Sequence, residues 1–146
     1  MSQENVEIVR AIVSGFADRD LVAFLRDAEP AQMEALTEAI YAPDVEVVWV
    51  DTSPDSAPYR GRNGAVRALS DWLESFDAFH FQPDEFIDAG DEQVEVPNTQ
   101  RGRGKGSGAE VEMTTAWVVT VRDAKIARLH EYSSKAKALE ATRRAP

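Results

Sequence analysis

Between Val111 and Tyr132 the chain reads VEMTTAWVVTVRDAKIARLHEY, two alternating runs joined by a short turn. No other segment limits the fold as much, because alternation over this length requires two long antiparallel strands. In the first run Met113, Thr115, Trp117, Val119 and Val121 share one face, and Thr114, Ala116, Val118 and Thr120 share the other. In the second, Ala127, Leu129 and Glu131 alternate with Ile126, Arg128, His130 and Tyr132. The turn decides which sets meet. A two-residue loop pairs Trp117 with His130 and Val119 with Arg128, which mixes the faces. A three-residue loop, Arg122-Asp123-Ala124, pairs Trp117 with Leu129, Val119 with Ala127 and Thr115 with Glu131, and keeps one coherent apolar face. The three-residue loop is therefore the expectation. It leaves Glu131 as an acid on an apolar inner face, either at the end of the core or on the floor of a pocket.

The 146 residues suit one domain spanning 1–146. Twenty-six acids against 16 bases give a net charge of −10, which argues against nucleic acid and anionic membranes as partners. The chain has no cysteine and only two histidines, His80 and His130. Disulfides, thiolate nucleophiles and multi-histidine metal sites are thereby excluded, and no metal or cofactor is expected. The N-terminus lacks a signal-peptide pattern and no apolar run is long enough to span a bilayer, so a cytoplasmic location is expected.

Helical spacing runs through Val6, Val9, Val13 and Phe16. Asp20 then caps a short helix with Leu21, Phe24 and Leu25, and Pro30 opens a helix from Ala31 to Tyr41. Val45, Val47 and Trp49 alternate into a strand ending at Asp51, and Thr52 to Pro58 is a loop. A further helix is expected through Phe76, with Val66, Leu69, Trp72 and Leu73 inward. Thereafter the pattern is strand: Phe79 to Ile87 as one, Gln93 to Arg103 as the next, then the long pair and a short helix over 135–143. Pro97 marks an edge or a bulge in its strand. The Arg101–Gly106 run, RGRGKG, reads as a hairpin and not as a phosphate loop, since no helix follows it. Helices first and strands last make an α+β pattern, with helices covering one face of a curved antiparallel sheet.

Several residues carry candidate chemistry. Glu131 points inward by parity and can serve as acid or base, or reach water at the strand end. Asp51 continues the phase of Val45, Val47 and Trp49, and is either a loop acid or a second pocket carboxyl; two acids in one cavity would divide the acid and base roles. Trp49, Trp72 and Trp117 lie on inward faces and can wall a cavity. Asn98 and Gln100 point inward if Pro97 causes no bulge and outward if it does. Tyr59, Phe76, Thr115 and Leu129 complete the expected ligand-binding set. On the outer face, Val118, Arg128, His130 and Tyr132 form a surface suited to a homodimer.

The pieces SQENVEIVRAIVSGFADRDL, PDVE at 43–46, YRGRNGAVRAL at 59–69, DEFIDAGD at 84–91, RGRGKGSGAEVEM at 101–113 and VRDAKIARLHEY together cover nearly the whole chain. In this order they resemble the SnoaL-like branch of the nuclear transport factor two-like superfamily. The resemblance implies a cone of curved antiparallel sheet, a cystatin-like α+β roll, with N-terminal helices closing its concave face. It also implies a small hydrophobic ligand, and cofactor-free proton-transfer chemistry among the possibilities. Cyclisation, isomerisation, dehydration and epoxide opening on polyketide- or terpenoid-like rings all occur in the family, beside members with no known reaction. A non-catalytic binding or interaction module is the alternative. The isomerase-type members carry a base near Asp51, an acid at the position of Trp117 and a tyrosine near Ile12, of which only Asp51 is matched here. The chain also departs from relatives in its added helix 31–41, in Ala124 where glycine is usual, and in the EVPNTQ strand.

Overall fold

The computed structural model describes residues 2–53 and 57–144, so the middle of the loop expected over Thr52 to Pro58 lies outside it. The long hairpin is present as β6 (Glu110–Arg122) and β7 (Lys125–Tyr132). Its register corrects the expected one. Arg122 faces Lys125 across a two-residue turn, and Trp117 faces Glu131, Val118 faces His130 and Val119 faces Leu129. Asp123 and Ala124 both have positive φ, 53° and 63°, the requirement of the hairpin turn whose twist matches the strands. The register then shifts between Thr120 and Val121, where Ala127 is the extra residue. That bulge restores the coherent inner face that a two-residue loop alone would have mixed. It also moves Ile126 from the expected outer face into the inner core. The outer partners shift accordingly: Ala116 faces Tyr132 and Thr120 faces Arg128.

The remaining elements follow in the expected order, with three boundary corrections. Helices α1 (Ser2–Ser14), α2 (Leu21–Asp27) and α3 (Pro30–Ile40) precede β1 (Tyr41–Trp49). Asp20 caps α2 by accepting from the backbone N–H groups of Val22 and Ala23, and its Oδ1 also accepts from Phe79 N–H at 3.2 Å, which ties the helix to the sheet. Tyr41, expected in α3, is its extended C-cap and begins β1, and Pro43 keeps the next residue, Ala42, out of helical geometry. After β2 (Tyr59–Arg60), α4 (Gly61–Leu73) stops short of Phe76, which opens β3 (Phe76–Pro83) instead. The Phe76 ring lies where a Cβ at Gly102 would sit only 2.5 Å away, so this packing depends on a glycine there. The single strand expected over Phe79 to Ile87 is two, β3 and β4 (Ile87–Gly90).

Pro97 explains that split. It lies in β5 (Gln93–Gly104), which pairs with β6 in unbroken register from Gln93 to Arg103, so there is no bulge against β6. Its carbonyl accepts from Asp84 N–H at 2.8 Å, between β3 and β4. A strand residue presents N–H and C=O to the same side, so the missing donor falls at that break. Asn98 and Gln100 therefore keep the inward phase of Val94 and Val96. The hairpin expected for the glycine-rich run joins β5 to β6, with Gly104 N–H donating to Ala109 O.

The sheet order is β2-β1-β7-β6-β5-β3, with β4 also on β5. Every pair is antiparallel except β1 with β7, where Val47 lies beside Leu129 and Trp49 beside Glu131. The two faces have separate cores. Inside, Val9, Leu21, Ile40, Ala68 and Leu73 of the first four helices pack on Val45, Val96, Val119 and Ile126. Outside, helix α5 (Lys135–Arg144) places Ala138 on Ala116 and Val118, with Tyr132 beside them. Part of the face expected for self-association is thus already covered within the chain. No helix among the described residues is long and apolar enough to cross a membrane.

Candidate functional site

Between the four helices and the concave sheet lies a cavity of about 160 Å³. Its walls are aromatic and aliphatic. Trp49 of β1 and Trp72 of α4 meet at a 42° tilt with centroids 5.9 Å apart, Trp72 meets Phe79 edge-on, and Phe81 meets Trp117 at 5.2 Å. Leu129 and Ile126 contribute from β7. Helix α3 supplies Met33, Leu36, Thr37 and Ile40, so it is part of the wall. Tyr41 also lines the cavity, and burial pushes its phenol above the usual value.

Among the described residues the only charged one lining this space is Glu131, itself 2% exposed. The register explains its surroundings: Trp117 is its neighbour across the β6–β7 pair and Trp49 its neighbour across the β1–β7 pair. Trp117 Nε1 donates to Glu131 Oε2 at 2.7 Å, and Gln100 Nε2 donates to the same oxygen at 2.9 Å. Thr115 Oγ1 lies 3.4 Å from it. Oε1 receives a single bond, from the Thr52 hydroxyl at 2.8 Å. An indole N–H and an amide N–H₂ can only donate, so Oε2 acts as an acceptor. Oε1, with one partner, has acceptor capacity left for a ligand.

Behind this carboxylate lies a second polar row. Gln100 Nε2 also lies 3.0 Å from both Asn98 Oδ1 and Thr115 Oγ1, so its two hydrogens are shared among three acceptors, while Asn98 Nδ2 donates to Val96 O at 3.1 Å. Thr115 Oγ1 lies 3.1 Å from Asn98 Oδ1. These contacts fix the Gln100 amide, because its nitrogen faces acceptors. They leave Gln100 Oε1 buried with no partner. A buried network of this kind holds the central group rigidly when satisfied.

The expected residues thus divide by place. Trp49, Trp72, Gln100, Trp117, Leu129 and Glu131 line the cavity. Asn98 and Thr115 support Glu131 from behind, and Phe76 backs Trp72 and Phe79. Tyr59 is elsewhere, its hydroxyl donating to Asp71 Oδ2 at 2.8 Å. Asp51 is not brought to Glu131. Its carboxylate accepts from Lys137 Nζ at 2.8 Å and from Ser133 N and Oγ, and the Lys137 ammonium, aided by Ser133, holds it below the usual carboxylate range. The paired-carboxylate arrangement is therefore replaced by one buried carboxylate and one surface acid that pins α5. Sequence reasoning missed Thr52, which falls in a loop with no periodicity. It also missed the contribution of Ile12, Phe16 and Phe24, whose helical spacing shows a core face but not a cavity.

On the outer face, Glu46 of β1 meets His130 Nε2 at 2.9 Å, Arg60 at 3.1 Å and Arg128 at 3.7 Å. The hydrogen bond from His130 and the two guanidinium groups hold Glu46 below its usual range against the effect of burial. Among the described residues no group of three or more histidine or acidic side chains is arranged to hold a metal.

The family model described as a SnoaL-like domain matches residues 9–129. Several solved structures share the fold. TerC co-crystallised with polyporic acid is 20% identical, with a TM-score of 0.65 over 95% of this chain and 98% of that one. A SnoaL-like polyketide cyclase from Jannaschia sp. CCS1 is 15% identical, with a TM-score of 0.66 over 99% and 95%. A hypothetical protein of ketosteroid isomerase-like fold from Catenulispora acidiphila, in complex with trimethylamine, is 17% identical, with a TM-score of 0.60 over 78% and 87%. No curated protein matches the sequence.

Proposed function

Since the chain belongs to the family of SnoaL-like domains, we propose that its cavity binds a small hydrophobic molecule and that Glu131 is the group that acts on it. The observation that carries this reading is a single carboxylate, hydrogen-bonded by Trp117 and Gln100, at the polar end of an aromatic cavity. The reaction it suits is cofactor-free proton transfer. Glu131 would accept a proton from a ring held against Trp49, Trp72 and Trp117, as cyclisation, isomerisation or dehydration of a polyketide- or terpenoid-like substrate requires. Ligands in two structures of the same fold, polyporic acid and trimethylamine, support a binding role. The binding-only alternative is favoured by one observation: Asp51, the other candidate acid, is ion-paired with Lys137 outside the cavity.

All three tryptophans of the chain line the cavity, so their emission reports on occupancy. Hydrophobic ring probes should shift or quench it saturably, and Trp117→Ala should change the affinity. Absence of saturable change with every probe sinks the binding reading. Turnover of a co-purified molecule identified by mass spectrometry should vanish in Glu131→Gln, and undiminished turnover there removes the catalytic role. Self-association is a separate proposal for the half-exposed strip of Glu46, Arg128 and His130, the part of the outer face that α5 leaves open. Light scattering at micromolar concentration tests it, and a monomer rules it out.

A further inference from the structure

We infer that the cavity is built for a compact organic ammonium ion, a protonated amine about one ring in size. The inference rests on the cavity-binding reading above and adds the charge of the ligand. Among the described residues Glu131 is the only charged one lining the cavity; none of the others there is a lysine, arginine or histidine. Among the described residues no cation forms an ion pair with it, although Glu46, Asp51 and Glu85 each have one, Arg60, Lys137 and Lys135. Its four hydrogen-bonding partners are a tryptophan, a glutamine and two threonines, all neutral. They satisfy its geometry but bring no positive charge, and a carboxylate buried without a counter-charge is costly.

A ligand that carries the missing positive charge removes that cost. The rest of the wall suits the same species. The faces of Trp49, Trp72, Phe81 and Trp117 attract a cation through their ring quadrupoles, most strongly where water is excluded. Oε1 of Glu131 has only the Thr52 hydroxyl on it and can accept an N–H from the ligand. The net charge of −10 draws cations towards the protein and turns anions away. Size sets the upper bound, since a dry cavity of about 150 Å³ accepts benzene, and this one measures about 160 Å³. An anionic ligand would face Glu131 directly, and a neutral alcohol would leave the charge as it is.

The test holds the ring constant and changes only the head group. Cyclohexylammonium, cyclohexanol and cyclohexanecarboxylate are titrated into the protein at pH 7, with tryptophan emission and calorimetry as readouts. The expected order is ammonium tighter than alcohol by about tenfold or more, with the carboxylate weakest. Glu131→Gln should lose the preference for the ammonium over cyclohexanol. Equal or tighter binding of cyclohexanol to the unaltered protein overturns the inference while leaving the cavity as a binding site. Failure of all three rings to bind overturns both. A preference that survives Glu131→Gln would belong to the overall charge of the protein and overturns it as well. Should that variant not fold, judged by circular dichroism, the ratio measured on the unaltered protein decides alone.

Discussion

The indole N–H of Trp117 donates to Glu131 Oε2 at 2.7 Å, across directly facing positions of β6 and β7. One side chain is thus both a wall of the cavity and a hydrogen-bond donor to its carboxylate. The two functions separate on substitution. Trp117→Phe keeps an aromatic wall and removes the donor, leaving a buried carboxylate with one partner fewer. Stability should fall by about 1–3 kcal/mol, measured by urea denaturation. A loss within experimental error would mean that the bond contributes nothing to the fold.

Among the described residues Glu95 is the other fully buried carboxyl, on the outer face of β5, and neither of its oxygens has a partner. Burial raises its proton affinity, opposed by Lys135. Below the unfolded carboxyl value, near ~4.3, both states hold the proton and no penalty arises. As pH rises from there towards the raised folded value, the unfolded chain releases a proton that the folded chain keeps, and stability falls. Glu95→Gln should therefore gain on the parent protein steadily over that window. Parallel pH–stability curves would show that Glu95 is not desolvated as described.

Asp51 works in the opposite direction. Lys137 and Ser133 lower its folded value, so its contribution is present above the unfolded aspartate value of ~3.9 and is lost as pH falls through the folded one. Lys137→Met should cost no more than about 1 kcal/mol at pH 7, because the pair is partly exposed. It should also loosen α5, seen as faster amide exchange over 135–144. Unchanged exchange there would separate the ion pair from the docking of the helix.

Ala124 occupies the second central position of the β6–β7 turn with φ of 63°, which disfavours any side chain. Ala124→Gly should raise stability by up to about 1 kcal/mol, strain relief outweighing the flexibility that glycine adds to the unfolded chain. A lower thermal midpoint would show that the turn is not strained.

The α+β architecture was legible because period-2 and period-3.6 patterns are long and clean in β6, β7, α1 and α4. The inward placement of Glu131 followed from parity alone. Its partner did not. The expected register gave Leu129 to Trp117, since the turn was assigned by asking which loop length keeps one apolar face. A bulge at Ala127 achieves the same parity with a shorter turn, and nothing in the sequence of alternating residues distinguishes the two solutions. Asp51 was misplaced for a related reason: phase carried forward from Trp49 holds only while the strand continues, and β1 ends at Trp49. Asn98 and Gln100 depended on Pro97, whose effect turned on which side of β5 its missing donor lies.

The seam between β1 and β7 joins the first strand of the sheet to its last, side by side and in the same direction. Contacts so distant along the chain cannot form until nearly all of it is available, and such topology slows folding. The cavity is divided by this seam, with Trp49 on one bank and Leu129 and Glu131 on the other. During synthesis, therefore, the helices and β1 emerge with their apolar faces uncovered and wait for β7 to arrive. Assembly of the binding site and completion of the fold are then a single late event, and a nascent chain halted before Lys125 would present Trp49 and Trp72 to solvent as a surface for chaperones.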